Sequence, residues 1–302
     1  MNLGQLLVSH YLSVLTAWSP LNFSSVSNIR LNPYFSYFSG LNLYLSMIQY
    51  ELIEGVAKIT LNRPEKYHSF VRKMALQLQE ILDNCKEDKA VRAILITATG
   101  KAFCAGQDLG EATDPNGPKL TQIVQEHYNP IIRKIRNIEK PVVAAVNGVA
   151  AGAGASIALA CDIVVACESA SFIQAFSKIG LIPDSGGTYF LPRLVGMQKA
   201  AALMMTAEPV SAKDAVDMGM IYKAFSEFSF KKESWKLVSK LAAMPTKGLG
   251  LTKRLLNASY KNDLEQQLTM EDKCQTIAGN SNDFKEGVEA FLEKRKPIFK
   301  GE

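Results

Sequence analysis

The chain has 302 residues, of which 47% are hydrophobic, and this is enough for a sizeable core and excludes a disordered chain. A formal charge of +5 and a pI near 8.8 fit an anionic ligand, but the 34 basic and 29 acidic residues are interspersed and predict no nucleic-acid partner. The five cysteines have unrelated spacings and no CxxC motif, which predicts a reducing, cytoplasmic location with no disulfide and no zinc. Three histidines leave few possible members for a Ser-His or Cys-His nucleophile.

The first 46 residues differ in composition from the rest of the chain, with no Asp or Glu and a single Arg30. They lack the charged start and unbroken apolar run of a secretory signal and are too polar to span a bilayer, so no membrane partner is expected. A strand-like pattern follows Met47 directly. We therefore predict that Met47 is the functional start and that residues 1–46 are an extension outside the fold.

Strands alternate with helices in the next part of the chain. Residues 56–61 alternate as a strand does, and the turn residues around Pro64 end it. The further predicted elements are helix 71–86, strand 91–97, an irregular loop at 100–110, helix 120–137, and strands 141–147 and 163–166. This order predicts a mainly parallel sheet with helical crossovers.

After Pro183 the pattern becomes almost wholly helical. The predicted helices lie near residues 198–206, 212–218, 231–243, 247–258, 262–278 and 283–295. We predict an α/β core at 47–240 and a C-terminal helical region at 241–302, and we see no repeat of a solenoid or propeller period.

Two segments place small residues where the chain leaves a strand. In residues 102–109 (AFCAGQDL), Ala and Gly allow a ligand to approach the backbone closely. Residues 147–156 (NGVAAGAGAS) open a helix, where unpaired N–H groups at the positive end of the helix dipole can hold an oxyanion. One N–H from each segment would stabilise an enolate. Alternatively, the Gly/Ala run only allows close helix packing.

A third segment, residues 172–188 (FIQAFSKIGLIPDSGGT), contains a single acidic residue, Asp184. Asp184 follows a proline and precedes a helix-like stretch, so the local pattern favours an N-cap of that helix.

Taken together, in this order and at these separations, the three segments resemble the hallmark blocks of the crotonase (enoyl-CoA hydratase/isomerase) superfamily, over about residues 47–300. The pairing of AGQDL with PDSGGT is most similar to the isomerases of ring-epoxidised phenylacetyl-CoA in bacterial phenylacetate degradation. The resemblance implies a ClpP/crotonase-like α/β spiral of strand-strand-helix units, with a C-terminal helical region for oligomerisation and active-site closure. It also implies a homotrimer or a hexamer of two trimers, an acyl-CoA substrate, and no cofactor, since CoA is part of the substrate.

The resemblance assigns roles at five positions. The N–H groups of Gln107 and Ala153 would hold the thioester oxyanion, although the family usually has glycine at the second of these positions. The two glutamates of the family's hydratases correspond to Ser156 and Phe176, which disfavours hydration. Asp184 stands where several isomerases and a dehalogenase carry a catalytic aspartate, so the resemblance favours Asp184 as the catalytic acid-base group.

This assignment predicts a mechanism. Asp184 would remove the proton next to the thioester carbonyl and return it elsewhere, directly or through a relay. It would thereby convert ring-1,2-epoxyphenylacetyl-CoA to oxepin-CoA, or shift the double bond of an enoyl-CoA. Its pKa is expected above the usual value of about 3.9, through burial against Phe176 and Leu181.

The resemblance also gives expectations for ligand contacts and for two other residues. The expected CoA or substrate contacts are Lys66, Ala105, Asp108, Leu109 and Lys300, and the expected acyl pocket is Phe176, Gln174 and Tyr189. Asp108 would shape the turn, and Lys300 would reach the CoA of a neighbouring subunit. Cys104 has no histidine nearby in the sequence and is predicted to be inert, and His68 is predicted to be a surface residue.

Three other functions compete with an isomerase. They are an enoyl-CoA hydratase of broad specificity, a dehalogenase with Asp184 as nucleophile, and a non-catalytic RNA-binding or scaffold homologue. The third segment contains no histidine to activate water for a dehalogenase, and the unclustered charge gives little support to RNA binding.

Overall fold

The computed structural model describes residues 46–302. The predicted N-terminal extension, apart from Ser46, lies outside the described residues, and so does the question of the functional start.

Ten strands form two sheets in residues 46–302. The strands are β1 (Ile48–Ile53), β2 (Val56–Leu61), β3 (Ala93–Ala98), β4 (Ala102–Cys104), β5 (Val142–Val146), β6 (Val149–Ala151), β7 (Ile163–Cys167), β8 (Ser171–Ile173), β9 (Val210–Ser211) and β10 (Lys223–Phe225). The larger sheet has the order β1-β2-β3-β5-β7-β10, in which β1 and β2 are antiparallel and the remaining pairs are parallel. The smaller sheet has the order β4-β6-β8-β9, and only β8 and β9 are antiparallel.

The helices lie between and after these strands. They are α1 (Arg72–Glu87), α2 (Leu109–Ala112), α3 (Leu120–Gln122, a π-helical turn at Ile123–Tyr128, and Asn129–Asn137), α4 (Ala153–Leu159), α5 (Gly187–Val195), α6 (Met197–Thr206), α7 (Ala212–Asp217), α8 (Phe230–Ala242), α9 (Thr246–Ser259), α10 (Leu264–Gly279) and α11 (Asn282–Leu292). Two 3-10 turns lie at Pro64–Lys66 and Ala175–Ile179. The six helices predicted after Pro183 correspond to α6 through α11.

Consecutive strands pass from one sheet to the other. β3 leads into β4, β5 into β6, and β7 into β8, and a helical segment follows each pair. This is the spiral of strand-strand-helix units that the resemblance predicts. The ends of β4 and β6, from which the first two functional segments run, therefore lie side by side in the smaller sheet.

The core is densest at the centre of the larger sheet. All five residues of β5, VVAAV, are buried, because a central parallel strand is covered on both faces and needs apolar side chains on each. Helix α1 covers the sheet with Met74, Leu78 and Leu82, which are fully buried.

A buried charge network fixes α9 to the α/β core. The Lys253 side chain comes from α9, and its Nζ lies 2.7 Å from Asp162 Oδ2 and donates to the carbonyl of Ile135 at 2.7 Å. Arg136 Nη1 donates to the other Asp162 oxygen at 2.9 Å. Lys253 is only 6% exposed, so its charge stays inside because it is paired and hydrogen-bonded on several sides.

No helix within residues 46–302 combines the length and the apolar character needed to cross a membrane.

Candidate functional site

The first two functional segments pack backbone against backbone. A Cβ on Gly106 would lie 3.0 Å from the carbonyl oxygen of Ala151 and 3.4 Å from the nitrogen of Ala153. A Cβ on Gly154 would lie only 2.3 Å from the carbonyl oxygen of Cys104. The glycines therefore permit close packing, as one alternative predicted, and this packing also brings the two predicted N–H donors into one neighbourhood.

Each predicted donor follows a glycine with a positive φ. Gly106 has φ 90° before Gln107, and Gly152 has φ 52° before Ala153, a region of backbone space that glycine enters at little cost. Ala153 is the first residue of α4, so its N–H has no acceptor within the helix. Neither donor N–H has a hydrogen-bond acceptor in the described part of the chain. Two unpaired N–H groups, one from each segment, are the arrangement that an oxyanion hole requires.

The side chain of Gln107 is held at both ends. The Tyr128 hydroxyl donates to Gln107 Oε1 at 2.9 Å, and Gln107 Nε2 donates to Glu111 Oε2 at 2.9 Å. Glu111 in turn accepts from the N–H of Arg72, the first residue of α1, at 2.9 Å. Neither Tyr128 nor Glu111 was predicted as a site residue. The π-helical turn that ends at Tyr128 changes the helical register there, and Glu111 is joined to Gln107 only by the fold of the loop after β4.

Asp108 is occupied by contacts within the protein. Its carboxylate caps α2 by accepting from the N–H of Gly110 at 2.8 Å, and it pairs with Arg63 Nη2 at 2.7 Å. Burial acts to raise the pKa of Asp108, but Arg63 and the N–H donors outweigh this effect, and the pKa is lowered. These contacts fit the predicted shaping role.

The prediction that His68 is a surface residue is wrong. His68 is fully buried, and its ring accepts from the N–H of Arg63 at 2.9 Å and contacts the carbonyl oxygen of Thr99 at 2.7 Å. Burial lowers the pKa of His68, so the ring joins the turn after β2 to the loop after β3 as a neutral group. Cys104 is also fully buried, and burial raises its pKa to about 12, which opposes a thiolate nucleophile.

Asp184 lies in the turn before α5, and the N-cap expectation for it is wrong. The N-cap of α5 is Gly186, with φ 73°, and no side chain caps this helix end. The turn closes with the N–H of Gly187 donating to the carbonyl oxygen of Asp184 at 2.8 Å. Asp184 Oδ1 accepts from the Ser185 hydroxyl at 2.9 Å.

The carboxyl group of Asp184 is half-buried, and this burial raises its pKa even though the Ser185 hydroxyl acts in the opposite direction. The pKa of the buried Tyr128 hydroxyl is raised by burial, and then by the nearby Cys104 and Asp184. Asp184 thus lies within electrostatic range of the residue that holds Gln107. Leu181, which was expected to help bury Asp184, is 39% exposed.

Phe176, Gln174 and Ser156, the last residue of the second segment, are buried where that segment meets the turn of Asp184. Phe176 is 7% exposed, and its ring lies 3.8 Å from where a Cβ on Gly152 would stand. Ser156 and Gln174 are 0% and 4% exposed, and neither Ser156 Oγ nor Gln174 Oε1 has a hydrogen-bond partner within residues 46–302.

Tyr189 is held by a different set of contacts. The Arg193 guanidinium carbon lies 3.8 Å from the centre of the Tyr189 ring, and Tyr260 packs edge-on with ring centres 6.0 Å apart. Tyr189 is half-buried in this stack, and its predicted place in the acyl pocket stays a prediction.

The predicted CoA contacts fall in two places. Lys66, Ala105 and Leu109 are exposed, and the N–H of Ala105 donates to the carbonyl of Tyr67 at 2.9 Å, which joins the turn of Lys66 to the first segment. We call the exposed surface formed by Lys66, Ala105 and Leu109 the rim of the candidate site. Within one chain, Lys300 does not lie at this rim.

The chain next to Lys300 is held at the opposite end of β3. The preceding carbonyl, of Phe299, accepts from Arg92 at 3.2 Å. Arg92 lies just before β3, whereas the first segment follows β3. The predicted reach of Lys300 into a neighbouring subunit stays a prediction.

Two large cavities lie away from these residues. One, of about 950 Å³, lies between the larger sheet and α8 and is lined by Thr97, Asn147 and Trp235 among others. The other, of about 510 Å³, lies among α9, α10 and α11. Neither is lined by Asp184, Gln107 or Ala153, so cavity size does not identify the candidate site; the two unpaired donors and the carboxylate do.

The chain is similar to known enzymes over most of its length. Residues 51–302 match the family model described as enoyl-CoA hydratase/isomerase. A 1,2-epoxyphenylacetyl-CoA isomerase of Escherichia coli (strain K12) is 46% identical over 251 residues, 82% of this chain and 96% of the relative. A probable enoyl-CoA hydratase of Rhodobacter capsulatus is 43% identical, over 84% of this chain and 98% of the relative. The crystal structure of an enoyl-CoA hydratase from Bacillus anthracis superposes with a TM-score of 0.79 at 32% identity, and the match covers 85% of this chain and 100% of that one.

Proposed function

Because the chain belongs to the enoyl-CoA hydratase/isomerase family and is an enzyme that acts on acyl-CoA, we propose that it is an acyl-CoA isomerase with Asp184 as its acid-base group. In this proposal the N–H groups of Gln107 and Ala153 hold the thioester oxygen. One observation carries the proposal: the two unpaired backbone donors lie in segments that pack against each other, and the turn of Asp184, a carboxyl group whose pKa is raised by burial, packs against Ser156 in the helix that Ala153 begins.

The chemistry follows from this arrangement. The two N–H groups stabilise the negative charge that develops on the thioester oxygen when the adjacent carbon loses a proton, and each such donor is worth about 2.7–4 kcal/mol in the transition state. A carboxylate with a raised pKa is a stronger base than an ordinary aspartate, so Asp184 takes that proton more readily. Returning the proton to a different carbon completes an isomerisation.

For the substrate, we propose ring-1,2-epoxyphenylacetyl-CoA, which the enzyme converts to oxepin-CoA in phenylacetate catabolism, with the double-bond shift of an enoyl-CoA as a related activity. The 46% identity to an isomerase of this name supports the first reaction. The relative described as a probable hydratase favours hydration as the competing activity. Ser156 and Phe176 oppose hydration, since neither supplies a carboxylate to activate water.

We further propose that the enzyme assembles as a trimer or as a hexamer of two trimers in the cytoplasm. Apolar side chains before Asp184 support assembly, since Ile179 is 53% exposed and Ile182 is 80% exposed. The five cysteines are unpaired and buried, which fits a reducing compartment. Light scattering on the enzyme as it elutes from a size-exclusion column tests the assembly, and a monomer at micromolar concentration would contradict it.

The function is tested by incubating the enzyme with ring-1,2-epoxyphenylacetyl-CoA, with a 3-enoyl-CoA and with a 2-enoyl-CoA, and identifying the products by mass and absorbance. We expect isomers of the first two substrates and little water addition to the third. We expect Asp184→Asn to lower kcat for both isomerisations by about 10²–10⁴-fold, the usual contribution of a general base, while acyl-CoA binding is kept. Near wild-type turnover by this variant would remove Asp184 from the mechanism, and dominant hydration would favour the competing activity.

A further inference from the structure

Two buried polar atoms beside Asp184 have no hydrogen-bond partner among residues 46–302. They are Ser156 Oγ in α4 and Gln174 Oε1 just before the 3-10 turn at Ala175–Ile179. A buried polar atom without a partner costs about 1–3 kcal/mol, so such atoms are normally satisfied by protein or by ordered water.

The two atoms face the turn that carries Asp184. A Cβ on Gly187 would stand 2.9 Å from Ser156 Oγ and 3.6 Å from Gln174 Oε1, so both atoms lie around one point. Pro183, the residue before Asp184, is 3.2 Å from the same point, and the N–H of Gly187 closes the Asp184 turn. The Asp184 carboxyl group in this turn is half-buried, and its Oδ1 accepts from the Ser185 hydroxyl at 2.9 Å.

The chemistry of these groups matches a water molecule. A serine hydroxyl both donates and accepts, whereas an amide oxygen and a carboxylate oxygen only accept. Buried waters typically make about three hydrogen bonds to groups that would otherwise be unsatisfied. A water that accepts from Ser156 and donates to Gln174 has one further hydrogen for exchange with Asp184 or with the substrate.

We propose that Ser156 and Gln174 bind a water that relays the proton from Asp184 to the substrate carbon that receives it. This proposal rests on the proposed isomerase function. Asp184 takes the proton from the carbon next to the thioester. The water gives one of its protons to the distant carbon and is reprotonated by the Asp184 carboxylic acid. No oxidant, reductant or leaving group is required, and each proton removed is matched by one delivered.

The relay makes a prediction about isotopes, because the water exchanges with solvent. A 3-enoyl-CoA carrying two deuterium atoms on the carbon next to the thioester is isomerised in ordinary water, and the product is analysed by mass spectrometry. Direct return by Asp184 alone keeps both deuterium atoms, whereas return through the water keeps one. We expect the wild-type product to keep mainly one.

Two variants disrupt the water site, and a third serves as a matched control. We expect Ser156→Ala and Gln174→Met to lower kcat, by up to about 100-fold, with little change in KM, and to raise the share of product that keeps both deuterium atoms. Ser234→Ala is the control, since Ser234 is 2% exposed with an equally unpartnered hydroxyl but lies in α8, away from Asp184. It should leave the isotope distribution unchanged.

The outcomes separate the relay from the function on which it rests. Wild-type product that keeps both deuterium atoms overturns the relay and leaves the isomerase function standing. Unchanged isotope distributions in both Ser156→Ala and Gln174→Met overturn the assignment of the relay to these residues. An Asp184→Asn variant with full turnover, or wild-type enzyme without any turnover, overturns the proposed function and the relay together.

Discussion

The two sides of the candidate site are built in different ways. On one side, the proposed oxyanion donors are backbone groups, and the glycines, the packing between residues 104 and 154, and the bonds around Gln107 leave little freedom. On the other side, the groups are the side chains of Asp184, Ser156 and Gln174, and Ser156 Oγ and Gln174 Oε1 have no hydrogen-bond partner among residues 46–302. In the proposed function, the fold itself supplies enolate stabilisation, whereas a few replaceable side chains decide which reaction follows.

The side of the site that is built from backbone groups should tolerate substitutions less well than the side that is built from side chains. We expect Gly154→Ala to lower the free energy of unfolding by about 1–3 kcal/mol, because its Cβ would lie 2.3 Å from the carbonyl of Cys104. We also expect kcat to fall by about 10²–10³-fold, because the Ala153 N–H moves with that displacement. Gly279→Ala, at a position with nothing within 4 Å of the new Cβ, is the control and should be neutral or slightly stabilising. Denaturant unfolding and steady-state kinetics measure both effects, and a fully active, fully stable Gly154→Ala enzyme would contradict the comparison.

The side of the site that is built from side chains should make the activity depend on pH. Asp184 acts as a base only when ionised, and burial raises its pKa, so kcat/KM should fall as pH falls through a pKa above the usual value of about 3.9 for aspartate. The effect of this pKa on stability is the opposite of that of a salt-bridged aspartate. Because the folded-state pKa is raised, the ionised carboxylate lowers the free energy of unfolding at pH values above that pKa. Protonation at lower pH removes this destabilisation.

Asp184→Asn should therefore melt at a higher temperature than the wild type near neutral pH, and this difference should shrink as the pH falls from the raised folded-state pKa to the usual aspartate value of about 3.9. Melting curves at several pH values measure this effect. A variant that is less stable at neutral pH would show that the carboxylate has a structural role instead.

A smaller effect is expected from the bond that supports Gln107 on the backbone side. Tyr128→Phe removes the donor to the partly buried Gln107 Oε1, which should lower the free energy of unfolding by about 1 kcal/mol. We expect a reduction in kcat of several-fold, because the Gln107 N–H loses part of its support. Tyr260→Phe, at an exposed tyrosine, should change stability by less than about 0.5 kcal/mol. Equal effects of the two substitutions would show that Tyr128 does not support the proposed oxyanion donor at Gln107.

The smallest effect is expected at the rim. Lys66→Ala should raise KM for acyl-CoA by no more than about fivefold and leave kcat unchanged, because an exposed charge pair is worth about 0.2–1 kcal/mol. The difference should shrink at high salt, which screens exposed charges. Lys89→Ala, also exposed, is the control. A salt-independent loss of kcat would place Lys66 closer to the chemistry than the rim.

The sequence predicted regular elements better than it predicted side-chain environments. The strand at residues 56–61 and the helix at 120–137 lie where hydrophobic periodicity put them, since periodicity reports burial directly. The environment of His68 was mispredicted, because its partners Arg63 and Thr99 come together only when two loops fold against each other. The expected cap at Asp184 failed because a left-handed Gly186 starts the helix two residues later.

The short strands and the proposed water site show the same limit. β4, β6 and β8 have three residues each, too few for alternation to distinguish a strand from a loop. Ser156 and Gln174 are 18 positions apart in the sequence, and only the packing of α4 against the Asp184 turn brings their unpaired atoms together. The resemblance singled out Asp184 because three separate motifs constrained it at once, whereas the local pattern favoured a helix cap, and its catalytic role stays a prediction.

The Lys253 network has a consequence for modularity. If the chain were cut before α9, Arg136 would be left as the charged partner of Asp162, and the carbonyl of Ile135 would lose its ammonium donor. Removing one member of a buried charge network is strongly destabilising, so the cut would also destabilise the α/β core. A C-terminal helical region joined at the loop before α9 therefore needs a cation in the place of Lys253 to keep this network.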